Sequence, residues 1–223
     1  RNKVEHDSWR ALWDCVHFLS NLIPCVLLGV AFANLFMGIP VDAKGVYHGN
    51  LLALLSIYGL AGGVFFLCMF LLHGSLWLAI KSTGSLQTRA VASATFLWPV
   101  MLLLLVVFLV LTAMYTKLYA NFLAMPVLFV LPLLALAGLV GARIMLGAGK
   151  LWLAWGCSAV FILGVTFFGV AGMFPGMIIS SIDPAATVTA FNGASSQLTL
   201  KIMLGVALVM VPIVLAYQFW MYR

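Results

Sequence analysis

Residues 90–115 read AVASATFLWPVMLLLLVVFLVLTAMY, 26 residues without one Asp, Glu, Lys or Arg. At 1.5 Å of rise per residue, a helix of this length exceeds the roughly 30 Å of hydrocarbon in a bilayer. Its backbone groups must be paired internally in lipid, which leaves a helix or a closed barrel. Barrel strands are short and alternate in polarity, and this run does neither. The stretch predicts a membrane-crossing helix, with Pro99 inside it.

Five further runs of the same kind flank it, at 15–37, 51–80, 122–140, 151–179 and 202–222, each free of charged side chains. Pro24, Pro126, Pro132 and Pro212 fall inside them. The runs at 51–80 and 151–179 are longer than a bilayer requires, which predicts tilt or an end lying in the interface. The connections between runs are short, so residues 1–223 are expected to form a single transmembrane helical domain. Composition agrees: 65% of residues are hydrophobic and 7% charged, against roughly 25% charged in a soluble domain. The fold class expected is an all-α integral membrane protein with six transmembrane helices.

The net charge of +6 does not indicate nucleic-acid binding, because the basic residues are scattered singly. Their placement reads as topology. Arg1, Lys3, Arg10, Lys81, Arg89, Arg143, Lys150 and Arg223 fall on one side, and only Lys44, Lys117 and Lys201 on the other. The positive-inside rule makes the first side, with both ends of the chain, cytoplasmic. Trp9, Trp13, Trp152, Trp155, Trp220 and Tyr222 lie near span ends on that side, as an interfacial aromatic belt would. The charged opening, Arg1 to Asp7, reads as a loop entered midway, and residues upstream are expected.

Polar residues inside the membrane are the first places to look for function. Asp14, His17 and Asn21 fall at i, i+3 and i+7, on one face of the first helix. Such a face could carry protons or contact a quinone head group. It could equally hold Asp14 at the interface while His17 and Asn21 bond to neighbouring helices. His73, deep in the second run, could be an axial haem ligand, or a helix-packing histidine satisfied by a neighbour. Met69 lies one turn away on the same helix, whereas bis-ligation needs opposite sides of an iron. No His pair has zinc spacing. Cys15, Cys25, Cys68 and Cys157 each sit in an apolar run and read as inert thiols. The Gly59, Gly62 and Gly63 step reads as helix packing. No nucleotide loop, nucleophile elbow or paired intramembrane carboxylate is present, and no catalytic residue is expected in the chain.

Some segments are more specific than composition. They are Arg1-Asn2-Lys3-Val4-Glu5, Trp9-Arg10 and Trp13-Asp14, then Gly29 to Leu35, Gly38-Ile39-Pro40, Gly49-Asn50 and Gly59 to Gly63. Leu86 to Ala90, Met173-Phe174-Pro175, Ser180-Ser181, Ser195 to Leu200, Val211-Pro212-Ile213 and Tyr217 follow. Together they resemble subunit II of cytochrome bd quinol oxidases from the first residue almost to the last. The resemblance implies a nine-helix subunit of a bacterial inner-membrane heterodimer, with this chain supplying the last six helices. It implies that haems b and d and the quinol site belong to a partner, subunit I. There quinol is oxidised and oxygen reduced to water. This chain would be an accessory subunit, without haem of its own, with room for a structural quinone and for a small single-helix subunit in the complex. The family's first three helices, with their Gly-Phe-Asp and His-Trp-Asp-Gly-Asn stretches, are absent. The loop at Lys117 is shorter than the family's. His17 and His73 match no family signature and inherit no role. Without the resemblance, a secondary transporter or permease is the alternative; it would call for intramembrane charges or paired helix breaks at the midplane. A free-standing haem protein using His73 is the third reading.

Overall fold

The computed structural model describes residues 6–222. Arg1, Lys3 and Arg223 of the charge count, the Arg1 to Glu5 part of the resemblance and the side chain of Tyr222 lie outside the described residues. Among the described residues the regular structure is helical apart from one small hairpin, and six segments are long and apolar enough to cross a membrane.

Helix α1 spans Asp7–Met37. It begins two turns before the apolar run at 15–37, because nothing in the polar opening breaks a helix and Asp7 complements the positive N-terminal end. It stops at Gly38, whose φ of 89° only glycine adopts cheaply. Helix α2 spans Ile57–Lys81, capped by Ser56, whose side chain accepts from Gly59 N–H at 3.0 Å. The expected span at 51–80 therefore loses its first turn: Leu52–Leu54 form a separate 3-10 turn ahead of the cap. Helix α3 spans Gly84–Tyr115, with Pro99 inside it.

The expected span at 122–140 is broken. A short helix α4, Tyr119–Ala124, is followed by a 3-10 turn at Pro126–Phe129 and then by α5, Val130–Gly147. Pro126 lacks the N–H that would continue α4, so the crossing helix starts at the proline and ends later than the sequence suggested. Helix α6 spans Leu151–Met173. The expected run to 179 stops short, because Phe174-Pro175 leaves the helix and the next residues form strand β1, Gly176–Ile178, antiparallel to β2, Val188–Thr189. Helix α7, Gln197–Tyr222, closes the chain with Pro212 inside it.

Small residues bring the helices together. A Cβ on Gly29 of α1 would lie 2.2 Å from the carbonyl oxygen of Gly62 on α2, so the backbones touch. The same holds between α5 and α6, where a Cβ on Gly138 would lie 2.6 Å from Phe161 N and one on Gly164 2.6 Å from Ala135 N. The shared core joins α1, α2, α3, α5 and α6 through Ala33, Phe65, Leu72, Met101, Leu139 and Phe161. Stacked rings run through it: Tyr58 on Phe108 at 5.3 Å, and Phe108 on Phe65 at 5.1 Å. The buried Thr112 hydroxyl donates to Phe108 O at 2.7 Å, so the Tyr58 hydroxyl, 2.9 Å away, donates to Thr112 Oγ1.

On the side where α1 ends and α2 begins, the loops are tied to one another. Ile39 N–H donates to Ile179 O and Ser181 N–H to Ile39 O. The Ser180 hydroxyl donates to Val41 O at 2.5 Å. Asn121 turns its amide onto the carbonyls of Ala171 and Gly172 at the end of α6 and of Phe174 just beyond it. Helix α7 takes no part in this core: every described residue from Phe191 to Met221 is exposed.

Candidate functional site

The face carrying Asp14, His17 and Asn21 lies on the first half of α1, and all three residues are exposed in this chain. Asn21 folds back on its own helix, its amide donating to His17 O at 2.6 Å, and the Ser20 hydroxyl donates to the same carbonyl at 3.1 Å. Trp13 lies beside His17, ring centroids 5.9 Å apart. Between Asp7 and Asn21 only Trp13 is even half-buried. The structure thus leaves this face open along α1.

His73 is placed quite differently. It is half-buried, and its Nδ1 lies 2.7 Å from the hydroxyl of Ser158 on α6. The Ser158 hydroxyl in turn donates to Trp155 O at 2.7 Å. The imidazole rests on the Trp155 ring at 5.2 Å. Trp77 continues the contact, 5.2 Å from Trp155 and 5.9 Å from Trp152, with the Lys81 ammonium 5.0 Å above the Trp77 ring. This aromatic seam between α2 and α6 was only half visible in the sequence. Trp152 and Trp155 read as interfacial there, but nothing marked Trp77 as part of the seam or Ser158, on another helix, as the partner of His73.

Sequence reading also missed a cavity of about 680 Å³, partly open to the surface of the chain, lined by α1 to α6 and by strand β1. Phe32, Phe66, Leu102, Leu133, Phe168 and Met177 are among its walls. Its polar side chains, Tyr119 and Thr166, give their hydroxyls to backbone carbonyls, to Leu109 O at 3.1 Å and to Ile162 O at 2.8 Å. The walls therefore offer an occupant carbon contacts and almost no hydrogen bonds. A cavity of this kind takes a hydrocarbon chain or an apolar gas, not a charged solute.

Haem does not fit the cavity. Its lining contains Met69 but neither histidine nor cysteine, and His73 is not part of it. Among the described residues no three His, Cys, Asp or Glu side chains converge. No chemical step is therefore assigned to a haem or metal held by this chain.

Comparison with known proteins agrees along the whole length. The chain is 29% identical over 226 residues to cytochrome bd ubiquinol oxidase subunit 2 of Bacillus subtilis. It is 30% identical over 254 residues to a probable cytochrome oxidase subunit 2 of Haemophilus influenzae. It is 29% identical over 259 residues to cytochrome bd-I ubiquinol oxidase subunit 2 of Escherichia coli. In each case all of this chain is covered, but it spans only 65% of the first relative and 67% of the other two. The family model for cytochrome bd terminal oxidase subunit II matches residues 1–223. With six membrane-crossing helices in that span, the chain belongs to the subunit II family of the cytochrome bd terminal oxidases.

Proposed function

We propose that this chain is a structural subunit of a respiratory quinol oxidase, docked through its bare helices against the subunit that holds haems b and d. The supporting observation is the contrast within one fold. Five crossing helices bury residues against one another, while α7 buries none and α1 leaves its first half open. Without a hydrophobic drive in lipid, such faces are held in place by packing against another helix bundle. In this reading subunit I oxidises quinol and reduces oxygen to water. This chain keeps that bundle in register and contributes no catalytic residue. The Asp14, His17 and Asn21 face, exposed here, would lie at or near the joint, where it could meet protons or a quinone head group. The apolar cavity would seat the tail of a structural quinone, since its walls match an isoprenoid chain and reject a head group. A small single-helix subunit could join the same joint. The setting is the bacterial inner membrane, with the Lys81 and Lys150 side facing the cytoplasm.

Purifying the oxidase with and without this chain tests the proposal. Removal should deplete bound haem in the visible spectrum and lower quinol-dependent oxygen uptake. Unchanged haem content and turnover in its absence would overturn the reading. Asp14→Asn gives a narrower test, with slowed turnover or poor assembly expected. Wild-type behaviour would return Asp14 to a surface role.

A further inference from the structure

At the Met37 end of α1, a second and smaller cavity of about 320 Å³ opens to the surface of the chain. Asn34, Met37, Gly38, Tyr47, Leu54 and Ser181 are among its walls, and no residue lines both this cavity and the larger one. Asn34 is only 4% exposed. Its Nδ2 donates to Val30 O and to Leu54 O, each at 2.8 Å. Two carbonyls around one atom fix which end of the amide is nitrogen, and they leave Oδ1 as an acceptor. Among the described residues no hydrogen bond reaches Oδ1, and unlike Trp155 Nε1 the atom is not sealed from a water-sized group.

The rest of the wall offers acceptors rather than donors. The N–H groups of Gly38, Ile39, Ala53 and Ser181 already serve Asn34 O, Ile179 O, Asn50 O and Ile39 O. The Tyr47 hydroxyl donates to Asn50 O at 3.1 Å, and Pro40 has no N–H. The carbonyls of Met37 and Gly38, where α1 stops, accept no hydrogen bond among the described residues. They sit at the negative end of the helix dipole. No Asp, Glu, Lys, Arg or His lines the cavity, so no charge in its wall offsets that field.

The chemistry of an occupant follows. A carboxylate or phosphate would meet acceptors and the wrong end of a dipole. A quaternary ammonium suits the field but has no proton to give Asn34. A protonated primary amine brings both a positive charge and N–H donors. Its source is indicated by the surroundings. Asn34 lies three residues before the end of α1, about 5 Å in at helical rise and so near the depth of lipid head groups. The 3-10 turn that brings Leu54 to the cavity, with its cap, turns Leu51 and Leu52 outward, 81% and 77% exposed. We infer that this cavity binds a protonated primary amine, which donates to Asn34 Oδ1 and is carried by the head group of an amphiphile whose chains lie on these leucines. The site does not depend on the docking proposed above.

The test is solid-state NMR of the assembled complex in vesicles, with asparagine labelled at ¹³Cγ and dephased by ¹⁵N in the ligand. Asn34 is identified in the wild type by its neighbours, since no other asparagine lies between an alanine and a leucine. Three samples are compared: phosphatidylethanolamine with ¹⁵N in its head group, phosphatidylcholine with ¹⁵N in its choline, and unlabelled phosphatidylcholine with free ¹⁵N-ethanolamine. A hydrogen bond places the amine nitrogen about 4 Å from Cγ, within reach of the measurement. Dephasing of Asn34 in the first sample is expected and identifies a head group. Dephasing in the third alone supports the amine and identifies a free one as its source. Equal dephasing by choline, or dephasing by neither amine, which leaves water as the occupant, would overturn the inference.

Discussion

Gly29 and Gly74 show what a single methyl group can do in this molecule. A Cβ on Gly29 would meet the Gly62 carbonyl, which is backbone and cannot swing away. A Cβ on Gly74, also in the membrane-crossing part, meets nothing within 4 Å. Gly29→Ala should therefore separate α1 from α2 and cost about 1–3 kcal/mol. Gly74→Ala should be neutral or slightly stabilising. Thermal unfolding of the two detergent-solubilised variants measures both; equal melting temperatures would contradict the contact. Outside the crossing helices, the half-buried Asp42 closes the loop after α1. Its carboxylate lies 2.8 Å from His48 Nε2 and accepts from Lys44 and Val46 N–H at 2.9 Å. The His48 bond, with the Val46 N–H next, holds its pKa below the ordinary 3.8. The folded value is the lower one, so its contribution is present above the unfolded pKa and lost as pH falls through the folded one. The protection factors of the Lys44 and Val46 amides, exchange rates corrected for the intrinsic pH dependence, should hold at neutral pH and fall only below about pH 4. Loss of protection already above that range would overturn the assignment to Asp42. The role of glycine in packing was legible from its spacing in α2, but its contact partner Gly29 was not, since spacing on one helix says nothing of which neighbour it meets.

Helix existence was easy to read from apolar runs, and helix ends were not. The run at 151–179 is uniformly apolar, yet the helix ends at Met173 because the chain turns at Pro175 into a hairpin whose strands are themselves apolar. The run at 122–140 hid its break for the same reason: hydropathy is blind to the missing N–H of Pro126. Cysteine burial also depends on which part of an element is covered. Cys15 is exposed on the open half of α1, and Cys68 is buried in α2. In the isolated, detergent-solubilised chain, maleimide should label Cys15 promptly and Cys68 only on unfolding, read by mass spectrometry. If the proposed joint forms over α1, Cys15 should be protected in the assembled complex. Equal labelling of Cys15 in both states would place the joint elsewhere.

Over the whole molecule, the distribution of Lys and Arg is the strongest evidence for orientation. In the proposed orientation the loop around Lys44 would lie outside and the turns at Lys81 and Lys150 inside. In intact cells, a membrane-impermeant thiol reagent should modify Lys44→Cys but not Lys150→Cys, and labelling of the second alone would invert the topology. Sequence made the class, the number of crossings and the family readable, because each is spread over many residues. The cavity and the His73 seam were out of reach, because each is made where helices distant in sequence meet.

Helix α7, with its residues all turned outward, has a consequence for biogenesis. It leaves the ribosome after the other five crossing helices, and its own apolarity is enough to insert it. Lateral placement is then a later event, decided by an encounter in the plane of the bilayer. If the docking proposed above holds, the interval before that encounter, rather than the folding of the earlier helices, should set how long a newly made copy stays visible to membrane proteases.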